Sequence, residues 1–231
     1  RIPLPKNMFG DRKNSQGFLI SDPATTGPLL KAVEAAIANG FEGRPLIDGE
    51  ALAGEAAPVF DPARRSRQIG TVMSATPEMA VRAAASAAAA QRDWDWLGGA
   101  KRAEILERAA DLFERDAAVL IALCVREAGK TIANALADVR EAIDFLRYYA
   151  GLARADFAAP KLLPGPTGER NELSLHGRGV FAAISPWNFP VAIFTGQIAG
   201  ALAAGNAVVA KPAERTTLTA YAATRLMHEA G

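Results

Sequence analysis

The sequence predicts an α/β fold in which a helical region leads into an incomplete Rossmann-like parallel sheet. Residues 180–185 (VFAAIS) and 207–212 (AVVAKP) are short, nearly continuous apolar runs, the pattern of strands covered on both faces. Between them, residues 190–204 form a helical run closed by Gly205-Asn206. Strand, helix and strand in succession make a βαβ unit, whose two strands lie parallel. Upstream, residues 76–155 place apolar side chains at helical spacing, punctuated by glycine.

Along the chain, residues 1–57 read as a linker and lead-in with one helix, and residues 58–231 as the amino-terminal part of one α/β domain, the one that the resemblance given below implies to bind NAD. The first 22 residues, rich in Pro, Asn, Gly and charge, predict an extended arm. Ser21-Asp22-Pro23 and Thr25-Thr26 supply helix-start chemistry for LLKAVEAAIAN, and Asn39-Gly40 supplies the stop. Strands are expected at 44–48 and 68–72, with Asp61-Pro62 as a turn. Thr76 then caps a helix to about Arg92, with Pro77 at its first position. Trp94-Asp95-Trp96 and Gly98-Gly99 are expected to break it. Further helices are expected at 100–115, 116–127 and 131–155, the second ended by Gly129. Residues 160–178 read as a loop and an exposed β-hairpin arm, and residues 216–229 as a helix crossing back over the sheet. Arg1 at the start and HEAG at the end read as cuts in a longer chain.

Composition narrows the function classes. The 26 basic and 25 acidic residues nearly cancel and are interspersed, so no basic stripe is available to follow a nucleic-acid backbone. A single cysteine cannot form an internal disulfide, which fits a reducing, cytoplasmic setting. No apolar run approaches the roughly 20 residues that span a bilayer, and the amino end lacks the apolar core of a signal peptide. His176 and His228 stand without Asp or Cys at metal spacing.

The chemistry is expected at the carboxyl ends of the two strands, where open α/β sheets bind ligands. Ile184-Ser185-Pro186-Trp187-Asn188-Phe189-Pro190 follows the first strand, and Lys211-Pro212-Ala213-Glu214 follows the second. The Asn188 amide can donate to a developing oxyanion in a dry site. Lys211 can donate to, and Glu214 accept from, the hydroxyls of a ribose, and a carboxylate there repels a 2′-phosphate. On the residues alone, the aromatics also read as packing and the Lys211–Glu214 pair as a surface ion pair. No Gly-x-Gly-x-x-Gly turn follows the first strand. Cys124, within VLIALCVREAG, reads as a buried, inert thiol rather than a nucleophile. Glu127, in REAGKT, reads either as a solvated helix-end carboxylate or as a group meeting a substrate's amino group. Trp94 and Trp96 read as core or interface anchors.

PWNFP followed by AAGNAVVAKPAE, with VFDPA and EAGKT ahead of them in order, resembles the aldehyde dehydrogenase superfamily from about residue 58 to the end. That resemblance implies the amino-terminal part of an aldehyde dehydrogenase fold binding NAD. It also implies roles: backbone at Ile184, Ser185, Pro186 and Trp187 along the nicotinamide end, Asn188 as the oxyanion amide, and Lys211 with Glu214 as the ribose pair. Phe189 and Glu127 are placed on the substrate side. The reaction so implied has a cysteine thiolate attack the aldehyde, hydride pass to NAD, and a glutamate-activated water release the acid. That cysteine and glutamate are expected beyond these residues. The longer run ISPWNFPVAIFTGQIAGALAAGNAVVAKPAERT, with the lead-in MFGDRKNSQGFLISDP, is similar to the dehydrogenase domain of bifunctional proline-catabolic enzymes, the proline utilization A family. This similarity implies oxidation of L-glutamate γ-semialdehyde to L-glutamate, an FAD-bound proline dehydrogenase in a separate domain of the parent polypeptide, and a homo-oligomer joined through the 160–178 arm. The alternatives are a stand-alone semialdehyde dehydrogenase of other specificity, and a non-catalytic cofactor-binding or assembly module.

Overall fold

The computed structural model describes residues 2–38 and 40–231, so the stop signal at Asn39 and the leading Arg1 lie outside the described residues. After a 3₁₀ turn at Pro5–Asn7, helix α1 spans Pro23–Ile37; the Asp22 carboxylate accepts from the Ala24 amide (3.0 Å) and Pro23 sits where no amide is needed. Strands β1 (Phe41–Gly43), β4 (Ala56–Asp61) and β5 (Arg64–Met73) form one sheet in the order β1-β5-β4, while β2 (Leu46–Ile47) and β3 (Glu50–Ala51) make a small separate hairpin. The turn at Asp61-Pro62 stands as expected, between β4 and β5.

Helix α2 (Pro77–Trp96) is capped by the Thr76 hydroxyl, which accepts from the Met79 amide (3.3 Å). It runs through Trp94–Trp96 rather than breaking there, and ends at Gly98, whose φ of 83° a side-chain-bearing residue rarely adopts. Helices α3 (Gly99–Arg115), α4 (Ala117–Arg126) and α5 (Ile132–Phe157) follow within a few residues of expectation. The α3 and α5 faces bury Leu106, Ala109, Ala110 and Phe113 against Val139, Ala142, Ile143 and Leu146, forming the centre of the core.

The hairpin arm β6 (Lys161–Leu163) and β7 (Asn171–Leu173) precedes the βαβ unit: β8 (Val180–Ile184), α6 (Ala192–Ala203) and β9 (Ala207–Lys211), with β8 and β9 parallel. A 3₁₀ turn at Glu214–Thr216 then feeds α7 (Thr217–Ala230). Both α2 and α6 pack against the β8–β9 ribbon, yet Val180, Phe181 and Ile184 stay exposed. Two strands cannot shield their own faces, so burial on both sides, the expectation from their apolar runs, is only partly realised.

The amino-terminal part is joined to the rest in two ways. Strand β4 runs across residue 57, and β1 pairs with β5 from Phe41↔Gly70 to Gly43↔Val72, so the lead-in contributes a strand to the sheet that follows it. Residues 2–22, apart from the 3₁₀ turn, are extended but anchored. Ser15 is fully buried, its amide and hydroxyl both donating to the Asp144 carboxylate on α5 (2.6 and 2.8 Å), and Arg147 donates to the Asn14 carbonyl (3.2 Å).

Candidate active site

The parallel register sets Ile184 opposite Lys211, so β8 and β9 end at one edge. The Ser185 amide extends the ladder by one bond, donating to the Lys211 carbonyl (3.1 Å). The Ser185 hydroxyl turns inward to the Gln197 side chain on α6 (2.9 Å), leaving its backbone as the part that faces the edge. Beyond it, Pro186, Trp187, Asn188 and Phe189 are exposed, and Pro190 and Val191 are buried where the loop enters α6. Thus Ile184 to Phe189 and Lys211 are brought together at a single sheet end. Glu214 opens the 3₁₀ turn three residues after β9, and its side chain, like that of Lys211, is exposed.

A buried ion pair braces this loop from below, through residues that were not singled out in the sequence. Gly129, with φ of 69°, turns the chain after α4 so that the Lys130 amide donates back to the Cys124 carbonyl (3.1 Å). The Lys130 ammonium then donates to the Asp138 carboxylate on α5 (2.7 Å) and to the Asn188 carbonyl (3.0 Å). It also lies 4.4 Å from the centre of the Phe189 ring, within cation–π range. Asp138 is wholly buried, and its second oxygen accepts from the Ala192 amide at the start of α6 (2.7 Å), where the helix dipole favours negative charge. A signal existed in the sequence: an acid in the apolar run of α5, eight residues after a lysine. What it lacked was any indication of the third partner, the Asn188 backbone.

The same neighbourhood settles Cys124 and Glu127. Cys124 is fully buried on α4; burial and then the Asp138 charge push its thiol well above the ordinary range, so it is held as a thiol, as the apolar run predicted. Glu127 is not a solvated helix-end group. It is 6% exposed, and its carboxylate accepts from the amides of Leu218 (2.8 Å) and Thr219 (2.7 Å) and the Thr219 hydroxyl (2.6 Å). Those are the orphan donors of the first turn of α7. In this structure the Glu127 carboxylate is therefore engaged as a cap on α7. Burial raises its carboxyl above the usual range, while the Thr219 hydroxyl and the α7 amides draw it back.

Trp94 is half-buried and its indole N–H donates to the Leu202 carbonyl (2.9 Å), an anchor between α2 and α6, while Trp96 is largely exposed. His176 meets Asp95 at 3.0 Å, and the other oxygen of Asp95 accepts from the Gly177 amide (2.9 Å), fixing the chain as it enters β8. Further along α5, Arg140, Glu141, Asp144, Phe145 and Tyr148, with Arg12 of the amino-terminal segment, line an open cleft of about 390 Å³. The Glu141 carboxyl there is raised by burial and by Asp138, against the opposing effect of Lys130.

Comparison with known proteins places the chain in a family. The family model described as "Aldehyde dehydrogenase family" matches residues 49–231. The chain is similar to "Bifunctional protein PutA" of Escherichia coli strain K12, with 43% identity covering 100% of this chain and 17% of that protein. It is also similar to "1-pyrroline-5-carboxylate dehydrogenase" of Geobacillus thermodenitrificans, with 37% identity over 98% of this chain and 42% of the relative. The chain thus spans about a sixth of the first relative's length and under half of the second's. Among solved structures, proline utilization A from Bdellovibrio bacteriovorus superposes with a TM-score of 0.90 at 34% identity, over 96% of this chain and 24% of that one. A 1-pyrroline-5-carboxylate dehydrogenase from Thermus, solved with bound NAD, gives a TM-score of 0.87 at 34% identity, over 94% and 43%. Among the described residues, no helix is long and apolar enough to cross a membrane. With residues 49–231, most of its length, matched by the family model, the chain belongs to the aldehyde dehydrogenase family.

Proposed function

We propose that this chain supplies the oxyanion amide and the nicotinamide and ribose contacts of an NAD-dependent dehydrogenase. Its reaction is oxidation of L-glutamate γ-semialdehyde to L-glutamate in proline catabolism. The observation that carries this reading is the common edge: the register Ile184↔Lys211 makes the Asn188 loop and the Lys211–Glu214 turn leave one sheet side by side. The names of the relatives support the substrate, since pyrroline-5-carboxylate is the cyclised form of that semialdehyde. The word "bifunctional" in the name of the Escherichia coli relative supports a parent polypeptide with an FAD-dependent proline dehydrogenase in a separate domain.

The residues at the edge fit NAD. Lys211 and Glu214 present an exposed donor and an exposed acceptor for two ribose hydroxyls, and the carboxylate disfavours a 2′-phosphate. Ile184 (66% exposed) and Trp187 (56%) offer a bare apolar shelf whose backbone runs along the nicotinamide end. Bound there, NAD supplies the hydride acceptor. Asn188 donates its side-chain N–H to the aldehyde oxygen as negative charge builds on it, an interaction stronger in the transition state than with the neutral carbonyl. Phe189 borders the substrate from the other side of that amide. The nucleophilic thiolate is assigned to the whole protein and not to Cys124. The single, buried cysteine also fits a cytoplasmic setting.

In the whole protein carrying this chain, Asn188→Ala is expected to lower turnover by about 10²-fold, the usual cost of one oxyanion donor. NAD affinity, measured by fluorescence titration, is expected to stay within about twofold of the wild type, an estimate from the separateness of oxyanion and cofactor contacts. Unchanged turnover would remove Asn188 from the mechanism.

A further inference from the structure

Resting on the reading of Asn188 as the oxyanion amide, we propose that Lys130 and Asp138 are positioning residues: a buried strut that fixes the Asn188 loop at both ends. Lys130 holds the near end through the Asn188 carbonyl (3.0 Å), and Asp138 holds the far end through the Ala192 amide (2.7 Å). The two join each other at 2.7 Å, with side chains 12% and 0% exposed. The segment between these anchor points, Phe189 to Val191, is the entry into α6. Trp187 and Asn188 themselves project into solvent with little packing to hold them.

A lysine ammonium has three N–H directions. Here they meet the Asp138 carboxylate, the Asn188 carbonyl and the face of the Phe189 ring, 4.4 Å from its centre. Asp138 is equally committed, taking the ammonium on one oxygen and the α6 amide on the other. A buried ion pair is a poor source of net stability, because desolvation offsets most of the attraction. Its worth lies in directed, charge-assisted bonds that tolerate little displacement. An oxyanion donor needs such fixity, since a misplacement of about 1 Å can cost on the order of 10²-fold in rate. The strut connects α4, α5 and the start of α6, so the rigid helical body sets where the amide points.

The test is a double-mutant cycle in the whole protein, following NADH formation and NAD affinity. Lys130→Met is paired with Lys130→Met/Asp138→Asn, which removes both charges together and leaves no buried ion unpaired if the single variant folds poorly. Turnover is expected to fall about tenfold or more, from the positional cost above, with NAD affinity unchanged and Lys130→Arg recovering part of the loss. In an Asn188→Ala background, the same substitutions should cost less than about twofold, because coupled residues are not additive. Full turnover in folded Lys130 variants would overturn the proposal, as would an undiminished loss when Asn188 is already alanine. If Asn188→Ala alone leaves turnover unchanged, the underlying reading of Asn188 falls, and the strut proposal falls with it. A slow Asn188→Ala beside a fast Lys130→Met overturns the strut alone.

Discussion

Glu127 and Asn188 mark the two limits of what a residue type reveals. Asn188 is polar among aromatics at the end of an apolar strand run, and everything that suggests its role lies within a few positions of it. Glu127 takes its meaning from Leu218 and Thr219, 91 and 92 residues away, and Lys130 takes part of its own from Asn188, 58 residues away. Local sequence carries no trace of such partners, so a carboxylate at a helix end reads as solvated until the fold brings α7 onto it. The capping role has a measurable consequence. Glu127→Ala leaves two buried amides and a hydroxyl without an acceptor, and should destabilise the protein by about 2 kcal/mol, the usual cost of orphaned buried donors. Glu127→Gln retains one acceptor oxygen and should cost roughly half as much by the same accounting. Urea unfolding of both variants in the whole protein checks this; a Glu127→Ala protein as stable as the wild type would mean that water replaces the carboxylate.

Among the elements, the helices and the βαβ unit were legible because they are long or strongly patterned. Thr76-Pro77 opens α2 and Asp22-Pro23 opens α1 with side-chain caps, as their sequence announces. The short strands β1 and β4 were not legible. Each is set by pairing with β5 rather than by its own alternation, and β4 shifts register between Val59 and Asp61. That pairing also ties residues 41–43 to residues 70–72 across the boundary expected at residue 57. The β6–β7 arm was expected as an exposed hairpin, and its Leu162, Leu163 and Leu173 are 67%, 47% and 48% exposed. We assign those leucines, Leu163 and Leu173 on one face of the ribbon and Leu162 on the other, to contact with a second copy of the protein, since a two-stranded ribbon with bare leucines is marginal alone in water. Sedimentation of a Leu162→Asp/Leu173→Asp variant should show smaller species than the wild type. An unchanged distribution of species would remove the arm from assembly.

At the scale of the whole molecule, the helical layer of α3, α4 and α5 forms the core on which the sheet edge is mounted. The amino-terminal segment is clipped to that layer through Ser15, Asp144 and Arg147. The same layer carries the Lys130–Asp138 strut, so packing far from the ligand edge bears on the placement of Asn188. Family membership was legible from motifs confined to strand ends and their following turns. The substrate was legible only through the resemblance of the longer run at 184–216 and the lead-in, because the residues at the edge are those we assign to cofactor and oxyanion, which every aldehyde substrate shares. The most direct test is therefore the rate of NADH formation by the whole protein with L-glutamate γ-semialdehyde and with succinate semialdehyde, compared as kcat/KM. The account predicts a clear preference for L-glutamate γ-semialdehyde, of about tenfold or more if the site pairs the substrate's charged groups. Preference for succinate semialdehyde, or no NADH from either, would contradict it.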